Sequence, residues 1–197
     1  MSDSITILGI PGSLRKAAWS KAVLRATQSV APAGVTIDSF EIEGIPPFNQ
    51  DEEKNPAPRV VELKRAVRAA DAVLFVTPEY NYGIPGVLKN AIDAASRPYG
   101  DSAWKHKPVN VISNAPRALG GIKAALQLRQ SFSFLEMYPY VGPEIVITFV
   151  ADKVTPEGAF KDDATKKFVT DMLVGFEKWI RRFRPVSAAG EALGGGD

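Results

Sequence analysis

Two loops of the chain contain residue types that could hold a phosphate group and a flat polar ring. The first, residues 11–16, follows an apolar run and reads PGSLRK. Gly12 permits a tight turn, Ser13 offers a hydroxyl group, and Arg15 offers a permanently charged guanidinium that suits phosphate oxygens. Ser20 lies near the start of the next predicted helix, where backbone N–H groups attract an anion. This spacing predicts a mononucleotide phosphate site, although a basic turn followed by an ordinary helix cap would use the same residues.

The second loop follows the apolar run at residues 71–76 and leads into a helix that begins at Pro85. Pro78 ends the hydrogen bonding of the strand, because proline has no N–H group. Gly83 has no side chain, so a flat group can approach the backbone there. The residues between them, which expose consecutive amides and polar side chains, are Glu79, Tyr80 and Asn81. The pattern is typical of a loop that lines a ring.

A third loop, residues 113–121, begins with Ser113 and ends with Gly120 and Gly121. Arg117 in this loop could attract an anion, and an exposed loop charge is an equally good interpretation. Each loop alone fits ordinary turn chemistry. All three follow predicted strands, and ligands of open α/β sheets bind at the carboxyl ends of the strands. Together the loops therefore favour a ligand site.

The composition excludes several classes of site. The 197 residues include no cysteine and one histidine, His106. A disulfide framework, a thiolate nucleophile, an iron–sulfur cluster and a histidine-rich metal site are therefore excluded. Redox chemistry would need a bound organic cofactor. A net charge of +2 without a basic block does not indicate nucleic-acid binding, and no run is long and apolar enough to cross a membrane. No signal peptide is recognised, so we expect a cytoplasmic protein.

Strands and helices alternate along the chain. Apolar runs predict strands at residues 5–10, 35–40, 72–77, 109–113 and 144–150. Helical patterns fall at residues 20–30, 59–70, 85–96, 122–134 and 164–183. This α/β alternation predicts a flavodoxin-like, five-stranded parallel sheet in the order 2-1-3-4-5, with helices on both faces. We expect one domain, residues 1–184, and a disordered Gly/Ala-rich tail, residues 185–197.

The motifs GSLRK at residues 12–16, PEYN at 78–81, PGVLKNAID at 85–93 and SR at 96–97 resemble the signature blocks of the NADPH-dependent FMN reductase family. That family includes bacterial quinone and chromate reductases, and the similarity spans about residues 5–183. The resemblance implies non-covalent FMN, NAD(P)H as co-substrate, and a homodimer or homotetramer that completes each site across an interface. Because the flavin supplies the chemistry, no catalytic side chain is expected.

The resemblance also implies which residues form the site. Those expected around the FMN phosphate are Ser13, Arg15, Ala18, Trp19 and Ser20. Those expected around the isoalloxazine ring are Pro78, Glu79, Tyr80, Asn81, Ser113 and Gly120. Substrate contacts are expected from Arg117 and Tyr82.

The chain departs from the family pattern at several positions. Ala18 stands where the family usually has serine, and Ser20 stands where it usually has asparagine. The first change removes one possible phosphate contact. The other departures are Gly83 for a usual serine, Ala94 for a common tryptophan, and Lys123 and Leu126 for an arginine and a tyrosine at a tetramer contact of some relatives.

Our hypothesis from the sequence is a two-step oxidoreductase. Hydride passes from NAD(P)H to FMN, and two electrons then pass to a quinone or a similar acceptor, with chromate and free flavin as other acceptors. Azo-dye reduction is the alternative among enzymes. A flavodoxin-type electron carrier that does not use NAD(P)H is another alternative, although such carriers are usually strongly acidic and this chain has a net charge of +2. A non-catalytic regulatory protein is the third.

Overall fold

The apolar runs of the sequence form one parallel sheet. The computed structural model describes residues 4–184, and its strands are β1 (Ile5–Pro11), β2 (Val35–Ser39), β3 (Ala72–Thr77), β4 (Pro108–Asn114), β5 (Tyr138–Pro139) and β6 (Ile145–Ile147). They lie in the order β2-β1-β3-β4-β5, and β6 also pairs with β4. Every pairing is parallel. The predicted flavodoxin-like order is confirmed.

The helices cover both faces of this sheet, as predicted. They are α1 (Trp19–Gln28), α2 (Pro58–Ala69), α3 (Gly86–Ala95), α4 (Ile122–Phe134), α5 (Val150–Lys153) and α6 (Asp163–Arg181). Side chains of α1 and α6 pack in one buried apolar cluster, and side chains of α2, α3 and α4 pack in a second. A parallel sheet needs this cover, because its strands are buried on both faces. β3 and β4 accordingly have no exposed residue.

The fifth strand is shorter than predicted and is divided. The sequence predicts one strand over residues 144–150, of which β6 (Ile145–Ile147) forms only part, and β5 (Tyr138–Pro139) lies before the predicted range. β5 pairs with the first residues of β4, and β6 pairs with the last. Pro143, between the two segments, has no N–H group to donate to β4. Phe149 has φ of 47°, which ends the extended backbone before α5 begins at Val150. The edge of the sheet therefore consists of two short strands.

The register of the strands places all three predicted loops at one edge. Pro11 at the end of β1 pairs with Val76 of β3, and Thr77 at the end of β3 pairs with Ser113 of β4. We call this side the carboxyl edge and the opposite side, where β1, β3 and β4 begin, the amino edge. No helix within residues 4–184 is long and apolar enough to span a bilayer. The predicted disordered tail lies outside the described residues.

Candidate functional site

A cleft of about 260 Å³ opens at the carboxyl edge of the sheet. It lies between the loop after β1, the loop after β3 and the end of β4. The residues that line it are Ser13, Arg15, Ala18, Trp19, Ser20, Pro78, Glu79, Tyr80, Asn114, Ala115 and Pro116. The first eight of these were predicted from the sequence, so the loop after β1 and the beginning of the loop after β3 share one cleft. After their predicted ligands, we call residues 11–16 the phosphate loop and residues 78–83 the ring loop.

The first turn of α1 faces this cleft without a capping side chain. The N-cap residue is Ala18, no acidic residue lies in the first turn, and no side chain accepts from its N–H groups. None of the hydrogen bonds among the described residues uses the backbone N–H of Trp19 or Ser20. These donors, together with the helix dipole, attract an anion.

The side chains around that turn are also available to an anion. The Ser20 hydroxyl group is buried, with the residue 1% exposed, and its oxygen has no hydrogen-bond partner. Ser13 is buried as well, and its Oγ accepts from the backbone N–H of Arg15 at 3.3 Å. Within residues 4–184, the exposed guanidinium of Arg15 has no carboxylate partner. A phosphate group would satisfy all of these donors at once.

A tight hairpin forms the second wall of the site. Tyr80 and Gly83 exchange two backbone hydrogen bonds, with N···O distances of 3.2 and 2.9 Å. Asn81 and Tyr82 between them have φ values of 51° and 64°, as in a type I′ turn. Neither residue lines the cleft; the Tyr82 side chain is 58% exposed beside it. The hairpin therefore places Tyr80 at the cleft and Tyr82 outside it.

Helix α4 holds this hairpin in place. Oε2 of Glu79 accepts from the backbone N–H groups of Lys123 at 2.9 Å and Ala124 at 3.2 Å, so the carboxylate caps α4. The Gln127 amide accepts from the Ile84 N–H at 3.1 Å and donates to the Tyr82 carbonyl oxygen at 3.3 Å.

Lys123 makes a further contact to the hairpin, because its Nζ lies 3.1 Å from the centroid of the Tyr82 ring. Sequence reasoning placed Glu79 at the ring edge but missed its cap on α4, since the two segments are 44 residues apart. No local pattern indicates such a contact, and Gln127 was missed for the same reason.

The third loop reaches the cleft through residues other than those predicted. Gly120 and Gly121 have φ values of 60° and 85°. A Cβ atom on Gly120 would lie 2.4 Å from Cγ1 of Val146, so packing against β6 requires this glycine. The predicted residues of this loop that do not line the cleft are Ser113, Arg117 and Gly120. Their predicted contacts to cofactor and substrate stay predictions.

Asn114 is the functional candidate that sequence reasoning missed. It ends β4, is 1% exposed and lines the cleft. Its Nδ2 donates to the carbonyl oxygen of Thr77 at 3.2 Å, and its Oδ1 has no partner. A polar side chain at the last position of a buried strand is the signal that could have identified it.

The cleft suits a flavin mononucleotide by the polar groups that line it. Unpaired N–H groups and hydroxyl groups at α1 match the phosphate, and the walls formed by residues 78–80 and 114–116 flank a space for the ring. The unpartnered oxygens of Ser20 and Asn114 are the specific observations behind this fit, because buried polar atoms normally have a partner.

Comparison with known proteins gives a consistent result. The profile of the NADPH-dependent FMN reductase family matches residues 5–152. The chain is 38% identical over 185 residues to an NAD(P)H-dependent FMN reductase of Pseudomonas aeruginosa, covering 93% of this chain and 100% of that protein. It is 40% identical over 187 residues to a quinone reductase of Pseudomonas putida, covering 94% and 100%. The solved structure of FerB, a flavoenzyme NAD(P)H:acceptor oxidoreductase from Paracoccus denitrificans, is 32% identical with a TM-score of 0.85, covering 91% and 98%.

Proposed function

The chain belongs to the NADPH-dependent FMN reductase family, and we propose on that premise that it is an FMN-dependent oxidoreductase that oxidises NAD(P)H and reduces a quinone. The observation that carries the proposal is the cleft that joins the uncapped turn of α1 to the ring loops. Relatives named FMN reductase and quinone reductase support the substrate classes. FMN, when bound, supplies the ability to take a hydride and to release two electrons.

At the phosphate end of the cleft, side chains and backbone N–H groups of this chain would hold the cofactor. Arg15 neutralises phosphate charge with a forked donor, and the Ser20 hydroxyl group donates from a buried position. The backbone N–H groups of Trp19 and Ser20 add the positive end of the α1 dipole. Ala18 contributes no hydroxyl group, so the bonds at this end come from its neighbours.

The ring end orients the cofactor and leaves one side open to substrate. The Glu79 cap on α4 and the hydrogen bonds of the Gln127 side chain keep the hairpin at residues 79–83 in one position relative to the cleft. Tyr80 and Tyr82 are 48% and 58% exposed there, so they offer aromatic faces on which a nicotinamide or a quinone can stack. Arg117 and Lys123 supply positive charge for the nicotinamide phosphates.

The proposal extends to assembly, location and other acceptors. We propose a homodimer or homotetramer, which the exposed Leu126 and Phe134 on α4 support, since these side chains are 48% and 81% exposed. We propose the cytoplasm as its location, because NAD(P)H is replenished there. Chromate, free flavin and azo dyes are the acceptors to compare with quinones.

The test follows flavin absorbance in protein that has been loaded with FMN and freed of excess flavin. Without oxygen, NADPH or NADH should bleach the flavin rapidly, and a benzoquinone should restore the colour. Free FMN at the same concentration is the control, and it should bleach far more slowly. Retained flavin that neither nucleotide bleaches would instead favour an electron carrier, and failure to retain flavin would contradict the site itself.

A further inference from the structure

We infer that Asn114 binds the flavin ring directly, with its Oδ1 accepting a hydrogen bond from the ring N3–H. This inference rests on the proposed function. Asn114 lines the cleft, is 1% exposed, and leaves Oδ1 without a partner in the described structure. A buried acceptor that lacks a partner destabilises the flavin-free protein, so a ligand that supplies a donor recovers that free energy.

The orientation of the Asn114 amide is fixed by its neighbour on β3. Nδ2 donates to the carbonyl oxygen of Thr77 at 3.2 Å. A carbonyl oxygen can only accept, so reversing the amide would place two oxygen atoms against each other. The oxygen of the amide is therefore the atom left for the ligand. Asn114 thus combines a place in the lining of the cleft with an amide oxygen that has no partner.

The donor that meets this acceptor is determined by the position of Asn114 in the sheet. The phosphate loop follows β1, and β3 lies between β1 and β4. Neighbouring strands are about 4.8 Å apart, so the end of β4 lies roughly 10 Å across the edge from the end of β1. A cofactor whose phosphate group is held at the loop after β1 would have to extend past β3 to cover that distance, and its ring would then lie near Asn114. On the oxidised ring the single N–H donor is at N3.

The residues that adjoin Asn114 in the cleft do not offer a competing acceptor side chain. Ala115 has a methyl group and Pro116 has neither a polar side chain nor a backbone N–H. Ser113, the preceding residue, lies against the Gly121 turn, where a Cβ on that glycine would be 3.2 Å from the Ser113 Cβ. Among the side chains of residues 114–116, which line the cleft, the Asn114 amide is therefore the one with an acceptor for the ring edge.

The experiment titrates flavin-free protein with FMN and with 3-methyl-FMN, in which a methyl group replaces the N3 hydrogen, and follows flavin fluorescence. We expect the wild-type protein to bind the methyl analogue about tenfold more weakly. Asn114→Leu should bind FMN about tenfold more weakly than wild type and should bind FMN and the analogue equally. The matched control, Ser20→Ala, should weaken both ligands and keep the preference for FMN.

A second measurement uses only the wild-type protein and does not depend on the folding of a variant. With ¹⁵N-labelled FMN bound, the N3 proton should give a sharp ¹H–¹⁵N signal and exchange slowly with water. Equal affinity for both flavins, an N3 proton that exchanges as fast as in free FMN, or an Asn114→Leu protein that keeps the preference would each overturn the inference. Wild-type protein that binds neither flavin would instead contradict the proposed function.

Discussion

The two edges of the sheet differ in whether their polar groups have hydrogen-bond partners within the protein. At the amino edge the Asp71 carboxylate accepts from the Thr6 N–H at 2.8 Å and from Nη2 of Arg184 at 2.9 Å. The Lys107 ammonium group donates to the carbonyl oxygens of Arg68 at 2.9 Å and Ala70 at 2.5 Å. These groups are paired within the chain, and they connect segments distant in sequence.

At the carboxyl edge, buried polar atoms are left without partners. Among the described residues, the buried side-chain oxygens that lack a hydrogen bond are Ser20 Oγ, Ser113 Oγ and Asn114 Oδ1. All three belong to residues at the ends of strands or at the first turn of α1. The amino edge thus uses its polar groups to stabilise the fold, whereas at the carboxyl edge Ser20 and Asn114, which line the cleft, keep unpartnered oxygens for a ligand at the expense of stability.

The largest expected effect is on ligand binding at the carboxyl edge. Arg15→Ala should weaken FMN binding by about 10- to 100-fold, because a hydrogen bond to a charged group contributes about 1.5–3 kcal/mol. The free energy of unfolding should stay the same, since Arg15 is exposed and has no carboxylate partner among residues 4–184. Fluorescence titration with FMN and urea unfolding measure the two quantities.

The matched control for this change is Lys16→Ala, which removes a neighbouring exposed charge outside the cleft. It should change FMN affinity by much less than Arg15→Ala at physiological salt. Equal losses in the two variants would mean that general electrostatic attraction, rather than a directed phosphate contact, holds the cofactor.

The opposite result is expected at the amino edge. Asp71→Asn should lower the free energy of unfolding by about 1–3 kcal/mol, because Arg184 loses its carboxylate partner and Thr6 loses a charged acceptor. FMN affinity should not change, since this edge lies at the other end of the strands. Urea unfolding and FMN titration of the same variant test both statements, and a parallel loss of affinity would show that the edges are coupled.

The features of the fold and the site that the sequence predicts are those that depend on residues close together in the chain. Apolar runs are local, so the strands and helices were predicted, and their alternation indicated a flavodoxin-like fold, which supplied the strand order. Arg15 and Ser20 were placed from a turn followed by a helix start. The division of the fifth strand depends on Pro143 and the φ of Phe149. The latter is a property of the folded chain and was not predicted.

Contacts between distant segments were beyond the sequence pattern. The Glu79 cap on α4 joins residues 44 apart, and the Asn114 amide bonds a carbonyl 37 residues away. Composition and periodicity describe neither relationship. The residue types suggested polar loops, and only the fold determines which of their atoms are satisfied by the protein and which remain for a ligand.

A smaller effect tests whether the unpartnered atoms cost stability. Ser20→Ala removes a buried hydroxyl oxygen that has no partner. The free energy of unfolding of the flavin-free protein, measured with urea, should therefore stay the same or rise by up to about 1 kcal/mol. The same change should weaken FMN binding several-fold. A large loss of stability without flavin would mean that Ser20 is satisfied within the fold, and the contrast between the edges would then fail at this residue.

The smallest expected effect is the acid response of the paired groups. A hydrogen bond from Lys64 lowers the pKa of Asp101 below its ordinary 3.8, and Arg68 adds to this. Both partners lie close, with N···O distances of 2.6 and 2.5 Å. A lowered pKa stabilises the folded protein above 3.8, and that contribution disappears as the pH falls through the folded-state pKa.

Comparison with Asp101→Asn isolates this contribution. The wild-type protein should be more stable than the variant above the ordinary pKa of 3.8, and the difference should shrink below it. Since the carboxylate is 54% exposed, solvent screening limits the difference to less than about 1 kcal/mol. Urea unfolding of both proteins over a pH series measures it, with Ser20→Ala as the pH-independent control. A difference that stays constant through the acid range would mean that Asp101 acts through packing rather than charge.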